Sequence, residues 1–314
     1  MKQKRLILTY SLLFFTMVIW GLNIVIIKVL VEVLPPQTMT AFRIMIAGIT
    51  ALIIIARGKS LRRLSKREWI YTLLGMLFGV MLHHSLLAVG LTMIDASNAS
   101  LILALVPLTT AILAALFLGE QLTRWRMIGI ILAFTGVFFI QGGSFSSMHL
   151  SKGELYLFIA MLVQAISFIF VKKATETLDS KQLTTIMSLA GSVGLLIISF
   201  ITEPGGANGM TSAPLFIYFL FIVSGVVSTG VGYIVFYGAI QQLGAGQAAL
   251  FDNFVPFFGL VFSTLFLNET ITASQLFGFV FIVAGVLSGT GYTEKLWAKK
   301  HIRINNTKKN LHSS

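Results

Sequence analysis

The chain contains ten long apolar runs, and this feature restricts its fold more than any other. Apolar runs of roughly 18 or more residues with few charges can cross a hydrocarbon core of about 30 Å as helices. We therefore predict an all-α integral membrane protein with ten transmembrane helices in a lipid bilayer. The fifth run is short, so a break in it or a merger with a neighbour would change this number. The runs cover roughly residues 6–30, 37–56, 69–91, 96–118, 126–141, 153–171, 182–202, 214–240, 246–267 and 274–291.

The composition agrees with a lipid environment and excludes several classes of site. Hydrophobic residues make up 56% of the chain and charged residues 11%, with a mean hydropathy of +0.89. The runs lack the strict alternation of a membrane β-barrel. Cysteine is absent, which excludes disulfides, iron-sulfur clusters and thiol nucleophiles. The basic, apolar N-terminus has no signal-peptide cleavage pattern and is interpreted as a retained helix. No P-loop or clustered metal-ligand motif is found, so we expect no cofactor, no metal site and no enzyme activity.

The positions of the basic residues predict the orientation. The net charge is +12, which alone would also fit a nucleic-acid-binding protein. If the N-terminus is cytoplasmic and ten helices follow, 20 of the 23 basic residues lie in cytoplasmic segments. Only Lys152 lies outside, while Lys28 and Arg43 fall within or at the ends of runs. This bias predicts a multi-pass protein of the cell membrane with both termini cytoplasmic, and it argues against nucleic-acid binding.

One phrase occurs twice in the chain. VPLTTAILAALFLGE at residues 106–120 and VPFFGLVFSTLFLNE at residues 255–269 agree at six of fifteen positions when offset by 149. Further matches follow at the same offset, including Gly136 with Gly285. We therefore predict two homologous repeats of five helices each.

Because five is an odd number, the second repeat must enter the membrane from the opposite side. The predicted repeats cover residues 6–141 and 153–291, followed by a basic cytoplasmic tail at 292–314. Inverted repeats suit a secondary transporter that works by alternating access. The alternative interpretation is a helix bundle that was duplicated for stability alone.

The repeated phrases also carry a family resemblance. They occur with WGLNIVIIK at residues 20–28 and TAFRIMIAG at residues 40–48, and a Thr and a glycine-bearing last helix follow each phrase. Over roughly residues 10–291 the chain resembles the EamA-domain family of the drug/metabolite transporter superfamily. The resemblance implies an exporter or exchanger of small metabolites, amino acids or xenobiotics with a central cavity between the halves. We expect a small-molecule substrate and a monomer or weak homodimer.

Ionisable residues inside the runs are the first candidates for function, because burying a charge in lipid is costly. Asp252 lies one turn before Pro256 and is predicted to couple transport to protons; alternatively, backbone donors or a helix end hold it permanently. Lys28 and Arg43 would bind a substrate carboxylate or phosphate, and the resemblance places basic residues at both positions. Alternatively, Lys28 extends to the membrane interface and Arg43 pairs with Glu32.

Aromatic and neutral polar side chains are predicted to form the walls of the substrate pocket. Their alternative role is ordinary helix packing. Because consecutive helical residues diverge by about 100°, at most one of His83 and His84 is expected to face a cavity. His84 aligns with Tyr233 at the repeat offset. The predicted pocket residues are Trp20, Asn23, His84, Gln164, Tyr233 and Tyr237, with Asn98 as a further polar contact.

Prolines and glutamates in the repeated phrase have predicted local roles. Pro107 and Pro256 should kink their helices, either as gates or only to shape packing. Glu120 and Glu269 fall at opposite sides of the membrane and cannot share a site; we expect them to hold the turns between hairpin helices.

Taken together, these patterns predict a secondary transporter, either an exporter or an exchanger, of small organic metabolites, amino acids or drugs. A membrane-embedded binding or regulatory protein without transport activity is the alternative.

Overall fold

A computed structural model of the chain describes residues 2–58, 61–118, 124–140, 151–243, 248, 251–252 and 254–289. These residues form helices joined by short connections, and no strand occurs among them. Glu120 and the predicted tail at 292–314 lie outside the described residues. The helices are α1 Lys2–Val33, α2 Pro36–Gly58, α3 Lys66–Met76, α4 His83–Leu91, α5 Ala96–Leu103, α6 Val106–Leu118, α7 Arg124–Ile140, α8 Lys152–Ala174, α9 Ser180–Thr202, α10 Gly206–Gly209, α11 Leu215–Val223, α12 Gly232–Leu243, α13 Phe254–Leu267 and α14 Ala273–Gly289.

Several of these helices are long and apolar enough to cross a membrane. Among the described residues, six have the required length and composition: Ile7–Val33, Pro36–Gly58, Lys66–Leu91, Lys152–Ala174, Ser180–Thr202 and Leu215–Gln242. Three shorter apolar helices cover Ala96–Thr110, Phe254–Leu267 and Ala273–Gly285. The part of the chain that the structure describes is therefore all-helical, and its long apolar helices are those of a multi-pass membrane protein.

Two of the long helices contain a π-helical segment. One segment, Leu77–Leu82, joins α3 to α4, and the other, Ser224–Val231, joins α11 to α12. Their last residues are 149 positions apart, which is the offset of the sequence repeat. Such segments are rare and occur frequently at functional sites. Both lie next to the central cavity described below.

Contacts between helix termini define two ends of the bundle. At the first, the Arg62 end, Gln182 Nε2 donates to the Arg62 carbonyl at 2.5 Å, and the start of α1 meets the end of α12 through Thr9 and Gln242 at 3.2 Å. At the second, the Glu269 end, the segment after α13 meets the start of α5. Since α5 begins at the end where α13 finishes, these two helices run in opposite directions.

Helices α2 and α9 show the same antiparallel arrangement. They pack extensively against each other. Glu203 follows the last residue of α9 and accepts hydrogen bonds from the backbone N–H groups of Gln37 and Thr38, both at 2.9 Å. The carboxylate thus satisfies donors in the first turn of α2 that have no partner within the helix.

Glu269 also caps a helix that is distant in sequence. Its carboxylate oxygens accept from the backbone N–H groups of Ala96 at 2.9 Å and Ser97 at 2.8 Å. We expected Glu269 to hold the turn to the next helix, and the structure corrects this expectation. Its side chain binds α5 because the unpaired N–H groups and positive dipole end of that helix attract a carboxylate.

Substituting Glu269 with glutamine should destabilise the protein by about 1 to 2 kcal/mol, because a neutral amide keeps only one acceptor oxygen for two donors. The thermal unfolding midpoint in detergent measures this loss. As a control, Glu32→Gln removes a pair with Lys28 in which the Glu32 side chain is 55% exposed, and such a pair contributes little. Equal changes in both variants would contradict the capping role.

Two glycines four residues apart, Gly75 and Gly79, allow the third apolar run, residues 69–91, to approach its neighbours closely. A Cβ atom at Gly79 would overlap Ser167 Oγ. Ser167 in turn donates from Oγ to the Gly75 carbonyl at 3.1 Å. The small residues therefore bring the π-helical segment Leu77–Leu82 directly against α8.

The helix that contains Pro107 is interrupted close to that residue. α5 ends at Leu103 and α6 begins at Val106, with a turn at Ala104 and Leu105. Proline has no N–H group to bond with the carbonyl four residues earlier, which agrees with a break at this position. Pro256 is the third residue of α13. Because residue 253 is not described, a kink at Pro256 stays a prediction.

Candidate functional site

A cavity lies in the middle of the bundle, between helices of both predicted repeats. Its empty volume is about 690 Å³, including the space that opens from it. Small-molecule sites in proteins are commonly concave, and in helical bundles they often lie between the helices. Three pairs of its lining residues are related by the repeat offset of 149: His84 with Tyr233, Leu103 with Asp252, and Val106 with Val255. Equivalent positions of the two predicted repeats therefore surround one space.

The structure brings most of the predicted site residues to this cavity. Tyr237 stacks behind Tyr233, with ring centroids 5.2 Å apart. Arg43 also lies behind the wall, and Lys28 lies at the Glu269 end. Asn98 accepts a hydrogen bond from Gln275 at 2.7 Å and does not line the cavity. The predicted residues that do line it are Trp20, Asn23, His84, Gln164, Tyr233 and Asp252.

Trp20 forms the aromatic wall together with Tyr233. The two rings are arranged edge to face with centroids 5.4 Å apart, a favourable geometry for aromatic pairs. The indole Nε1 donates to the Ser228 carbonyl at 2.8 Å, which fixes the ring on the second π-helical segment. A Cβ atom at Gly232 would lie 2.6 Å from Trp20 Nε1, so glycine leaves the space that the indole occupies.

Arg43 is held by neutral groups. Its side chain is 1% exposed. Nη1 donates to Thr229 Oγ1 at 2.8 Å and approaches Ser224 Oγ at 3.5 Å, while Nη2 lies 3.3 Å from His84 Nδ1. Arg43 Nε is buried without a partner among the described residues. A permanent positive charge thus lies directly behind the cavity wall.

The alternative that Arg43 pairs with Glu32 is wrong. Glu32 instead forms an ion pair with Lys28 at 3.2 Å, four residues earlier on α1. Lys28 Nζ also donates to the Leu91 carbonyl at 3.0 Å. Lys28 is therefore engaged at the Glu269 end, and its predicted contact with substrate would require these bonds to break.

His83 and His84 both line the cavity, so the expectation that at most one would face it is wrong. The backbone N–H of His83 donates to the Phe78 carbonyl, which is a π-helical bond. A π-helical turn contains more residues than an α-helical turn and therefore reduces the angle between consecutive side chains. The two imidazole rings are in contact, with centroids 5.0 Å apart.

Several polar atoms along the cavity wall have no partner in the described part of the chain. Gln164 Oε1 and Ser228 Oγ are buried and unbonded there. Asn23 accepts from Ser224 Oγ at 2.6 Å through Oδ1, and its NH₂ group makes no hydrogen bond to any residue that the structure describes. Buried polar groups are usually hydrogen-bonded, so these atoms are suited to a polar ligand or to water.

Asp252 contributes a carboxylate to the cavity. Its side chain is half-buried, and it has neither an ion pair nor a hydrogen bond with any described residue. The described ion pairs are Lys28 with Glu32 and Arg62 with Glu68. The alternative of a carboxylate held permanently by backbone donors therefore has no support in the described contacts.

Sequence reasoning missed the polar residues of the second π-helical segment. Ser224, Ser228 and Thr229 bind Asn23, Trp20 and Arg43, either through side chains or through the backbone. The signal that could have found them was the polar stretch SGVVSTG within an otherwise apolar run. Each residue alone is common in membrane helices, and only the folded chain shows that they meet α1 and α2.

Comparisons with known proteins agree with this arrangement. The family model described as the EamA-like transporter family matches twice, at residues 7–142 and 151–288. The uncharacterized transporter YvbV of Bacillus subtilis is 30% identical over 287 residues, which cover 91% of this chain and 92% of that protein. The probable amino-acid metabolite efflux pump of Salmonella typhimurium is 28% identical, with 86% and 90% covered.

A solved structure, described only as "Crystal structure of protein", shares the fold. It superimposes with a TM-score of 0.66 at 17% sequence identity. The match covers 91% of this chain and 97% of the other. At this level of identity the comparison establishes similarity of architecture alone.

Proposed function

The chain belongs to the EamA-like transporter family and is a membrane transporter; we propose that it is a secondary transporter that binds small organic metabolites in the central cavity and works by alternating access. The observation that carries this proposal is the cavity itself, where residues related by the repeat offset face one another. A site shared by two equivalent halves can open to either side when the halves exchange roles.

The helix directions support two inverted five-helix repeats, at residues 6–141 and 153–291. α5 and α13 run in opposite directions, as do α2 and α9. Each of these pairs consists of one helix from each proposed repeat. The separate matches of the family model to residues 7–142 and 151–288 also support this division.

The proposed orientation places the Arg62 end in the cytoplasm, together with both termini. This end carries most of the described basic residues, and cytoplasmic loops are enriched in Lys and Arg. The described basic residues that lie there include Arg57, Arg62, Arg63, Lys66, Arg67, Arg124, Lys172, Lys173 and Lys181.

Both ends of the bundle carry contacts that would have to change during transport. At the Glu269 end, Glu203 and Glu269 bind the starts of α2 and α5. At the Arg62 end, Arg62 Nη2 donates to the Thr177 carbonyl at 2.8 Å. Each contact joins one proposed half to the other, so rocking of the halves would break the contacts at one end at a time.

The proposed substrates are amino acids, related metabolites or drugs, and export or exchange is the proposed direction. One relative is named a probable amino-acid metabolite efflux pump. The cavity combines aromatic walls at Trp20 and Tyr233 with the unbonded polar atoms of Gln164 and Ser228. This combination suits an amphipathic molecule with a few polar groups. Asp252 is the proposed proton carrier.

Counterflow in liposomes tests the proposal. Amino acids, nucleosides, sugar phosphates and cationic drugs are first screened by thermal shift, since a ligand of the folded state raises its apparent stability. Proteoliposomes loaded with the unlabelled hit should then accumulate the radiolabelled compound transiently above its equilibrium level, and protein-free liposomes should not. Specific binding without counterflow would instead favour a membrane-embedded binding protein.

A further inference from the structure

The hydrogen bonds of Arg43 determine which nitrogen of His84 carries its proton. A guanidinium group can donate hydrogen bonds but cannot accept them. His84 Nδ1 lies 3.3 Å from Arg43 Nη2, so Nδ1 must accept. A proton on Nδ1, in the other tautomer or in a charged imidazolium, would point one donor at another. His84 is therefore neutral, with its proton on Nε2.

This tautomer in turn determines the role of Tyr233. His84 Nε2 lies 3.1 Å from the Tyr233 hydroxyl oxygen. Since Nε2 carries the proton, it donates and the hydroxyl oxygen accepts. The hydroxyl proton of Tyr233 then remains available, because no other hydrogen bond of this group is found among the described residues. Tyr233 lines the cavity, so its O–H group can donate to a ligand there.

We propose that Arg43 and His84 are positioning residues that make Tyr233 a hydrogen-bond donor to the substrate, and that the substrate presents a carboxylate to it. The proposal rests on the proposed function, in that the ligand of this cavity is taken to be the transported molecule. It assigns Arg43 an indirect role, because His84 and Thr229 separate its guanidinium from the cavity.

When Asp252, the carboxylate that lines the same cavity, carries its proton, the remaining charge of Arg43 favours an anionic acceptor over a neutral one. Arg43 is 1% exposed and has no carboxylate partner in the described part of the chain. A substrate carboxylate at Tyr233 would place a negative charge near the guanidinium, because only the His84 ring lies between Tyr233 and Arg43. Hydrogen bonds to a charged acceptor are also roughly twice as strong as neutral ones.

A second observation, at Gln164, supports a polar ligand in the cavity that Tyr233 lines. Gln164 lines the cavity and is 5% exposed, and its Oε1 atom is buried without a partner among the described residues. An amide oxygen can accept from an ammonium group. An amino acid would use both groups, whereas a simple monocarboxylate would use only the Tyr233 donor.

Nitrogen NMR of the detergent-solubilised full chain, labelled with ¹⁵N in its histidine rings, tests the tautomer. His84→Gln assigns the signal. We expect the wild type to show protonated Nε2 and unprotonated Nδ1. Arg43→Lys should keep this state because an ammonium group also only donates, whereas Arg43→Gln should admit the other tautomer because an amide can accept. Protonated Nδ1 in the wild type would overturn the assignment.

Binding of three matched ligands to the purified protein tests the substrate class. They are 3-phenylpropionate, L-phenylalanine and 3-phenylpropylamine, which share an aromatic ring and differ in charge. Calorimetry should show that whichever of the two carboxylates binds more tightly has an affinity at least about tenfold higher than that of the amine. Tyr233→Phe should remove this preference for a carboxylate. Tyr71→Phe, which changes a tyrosine outside the cavity, should retain it.

The outcomes identify the substrate class independently of whether the protein transports the substrate. Tight phenylalanine binding with weak phenylpropionate binding identifies a zwitterion, and the reverse identifies a simple monocarboxylate. Amine binding equal to or tighter than both acids, or failure of both acids to bind, overturns the carboxylate class. The NMR and calorimetry need no flux, so absence of counterflow in liposomes would overturn the proposed function while leaving these results intact.

Discussion

Replacing Gly136 with leucine should prevent the chain from forming a monodisperse folded protein. Gly136 lies where α7 packs along α14, and a Cβ atom there would lie 2.6 Å from the Gly278 carbonyl oxygen. It would also lie 3.0 Å from the Ile282 backbone nitrogen. Because these are backbone atoms, rotation of a side chain cannot relieve the contact. Size-exclusion chromatography in detergent should show loss of the folded peak.

The smaller change, Gly136→Ala, should give a measurable destabilisation of the same origin. Overpacking costs about 1 to 3 kcal/mol, and the higher helix propensity of alanine returns up to about 1 kcal/mol. Gly285→Ala should behave alike, since its Cβ atom would lie 2.7 Å from the Gly129 carbonyl oxygen. The thermal unfolding midpoint measures both effects.

Gly238→Ala is the matched control. Gly238 lies in α12, and a Cβ atom there would meet only Ser180 Oγ among the described residues, at an ordinary 3.5 Å. Alanine should therefore leave stability unchanged or raise it by up to about 1 kcal/mol. A stabilised Gly136→Ala variant, equal to Gly238→Ala, would show that α7 and α14 are not in close contact.

The sequence predicted the helix boundaries well because lipid imposes a simple requirement on composition. The predicted run 37–56 corresponds to Pro36–Gly58, and the run 182–202 corresponds to Ser180–Thr202. In both cases the apolar run ends where polar or turn-forming residues begin. The repeat offset also paired Gly136 with Gly285, and the structure places both at the same helix contact.

The arrangement of the site was only partly accessible from the sequence. The offset related His84 to Tyr233, which the structure joins by a hydrogen bond. The partners of Arg43 were not predictable, because Ser224 and Thr229 lie more than 180 positions away in the chain. The π-helical segments also lack a distinct sequence pattern, so the orientation of His83 was missed.

Long-range capping by glutamate illustrates the same limit. Glu269 follows α13, and a local hydrogen bond was the natural expectation because the sequence TASQ at residues 272–275 fits a capping box at the start of the next helix. The box is present, with the Thr272 backbone N–H donating to Gln275 Oε1 at 2.8 Å. Since Gln275 supplies that acceptor, the Glu269 carboxylate is available to Ala96 and Ser97. The antiparallel packing of α5 and α13 brings these groups together.

Substituting Asp252 with asparagine should abolish flux driven by a pH gradient while substrate exchange continues. An ionised side chain at the centre of a membrane helix costs at least about 2.5 to 3.5 kcal/mol. Asp252 lines the cavity without an ion pair to any described residue. Uptake of a proton would remove this cost, and release of the proton to the other side would complete a coupled cycle. Asparagine has nearly the same size but cannot exchange a proton.

Proteoliposomes with an imposed pH gradient measure the coupled flux, and the same vesicles without a gradient measure exchange. Asp179→Asn is the matched control, because Asp179 caps α9 by accepting from the Lys181 backbone N–H at 2.8 Å and does not line the cavity. It should keep wild-type coupling. Gradient-driven flux that persists in Asp252→Asn would remove the proton-carrying role from this residue.

The two histidines on the cavity wall, His83 and His84, are the alternative candidates for carrying the proton. His83 donates from Nδ1 to the Ala160 carbonyl at 3.0 Å, which leaves Nε2 as an acceptor. His84 has both nitrogens engaged by Arg43 and Tyr233. His83→Asn should therefore retain pH-driven flux if Asp252 carries the proton. Loss of coupling in His83→Asn together with its retention in Asp252→Asn would transfer the role to the imidazole.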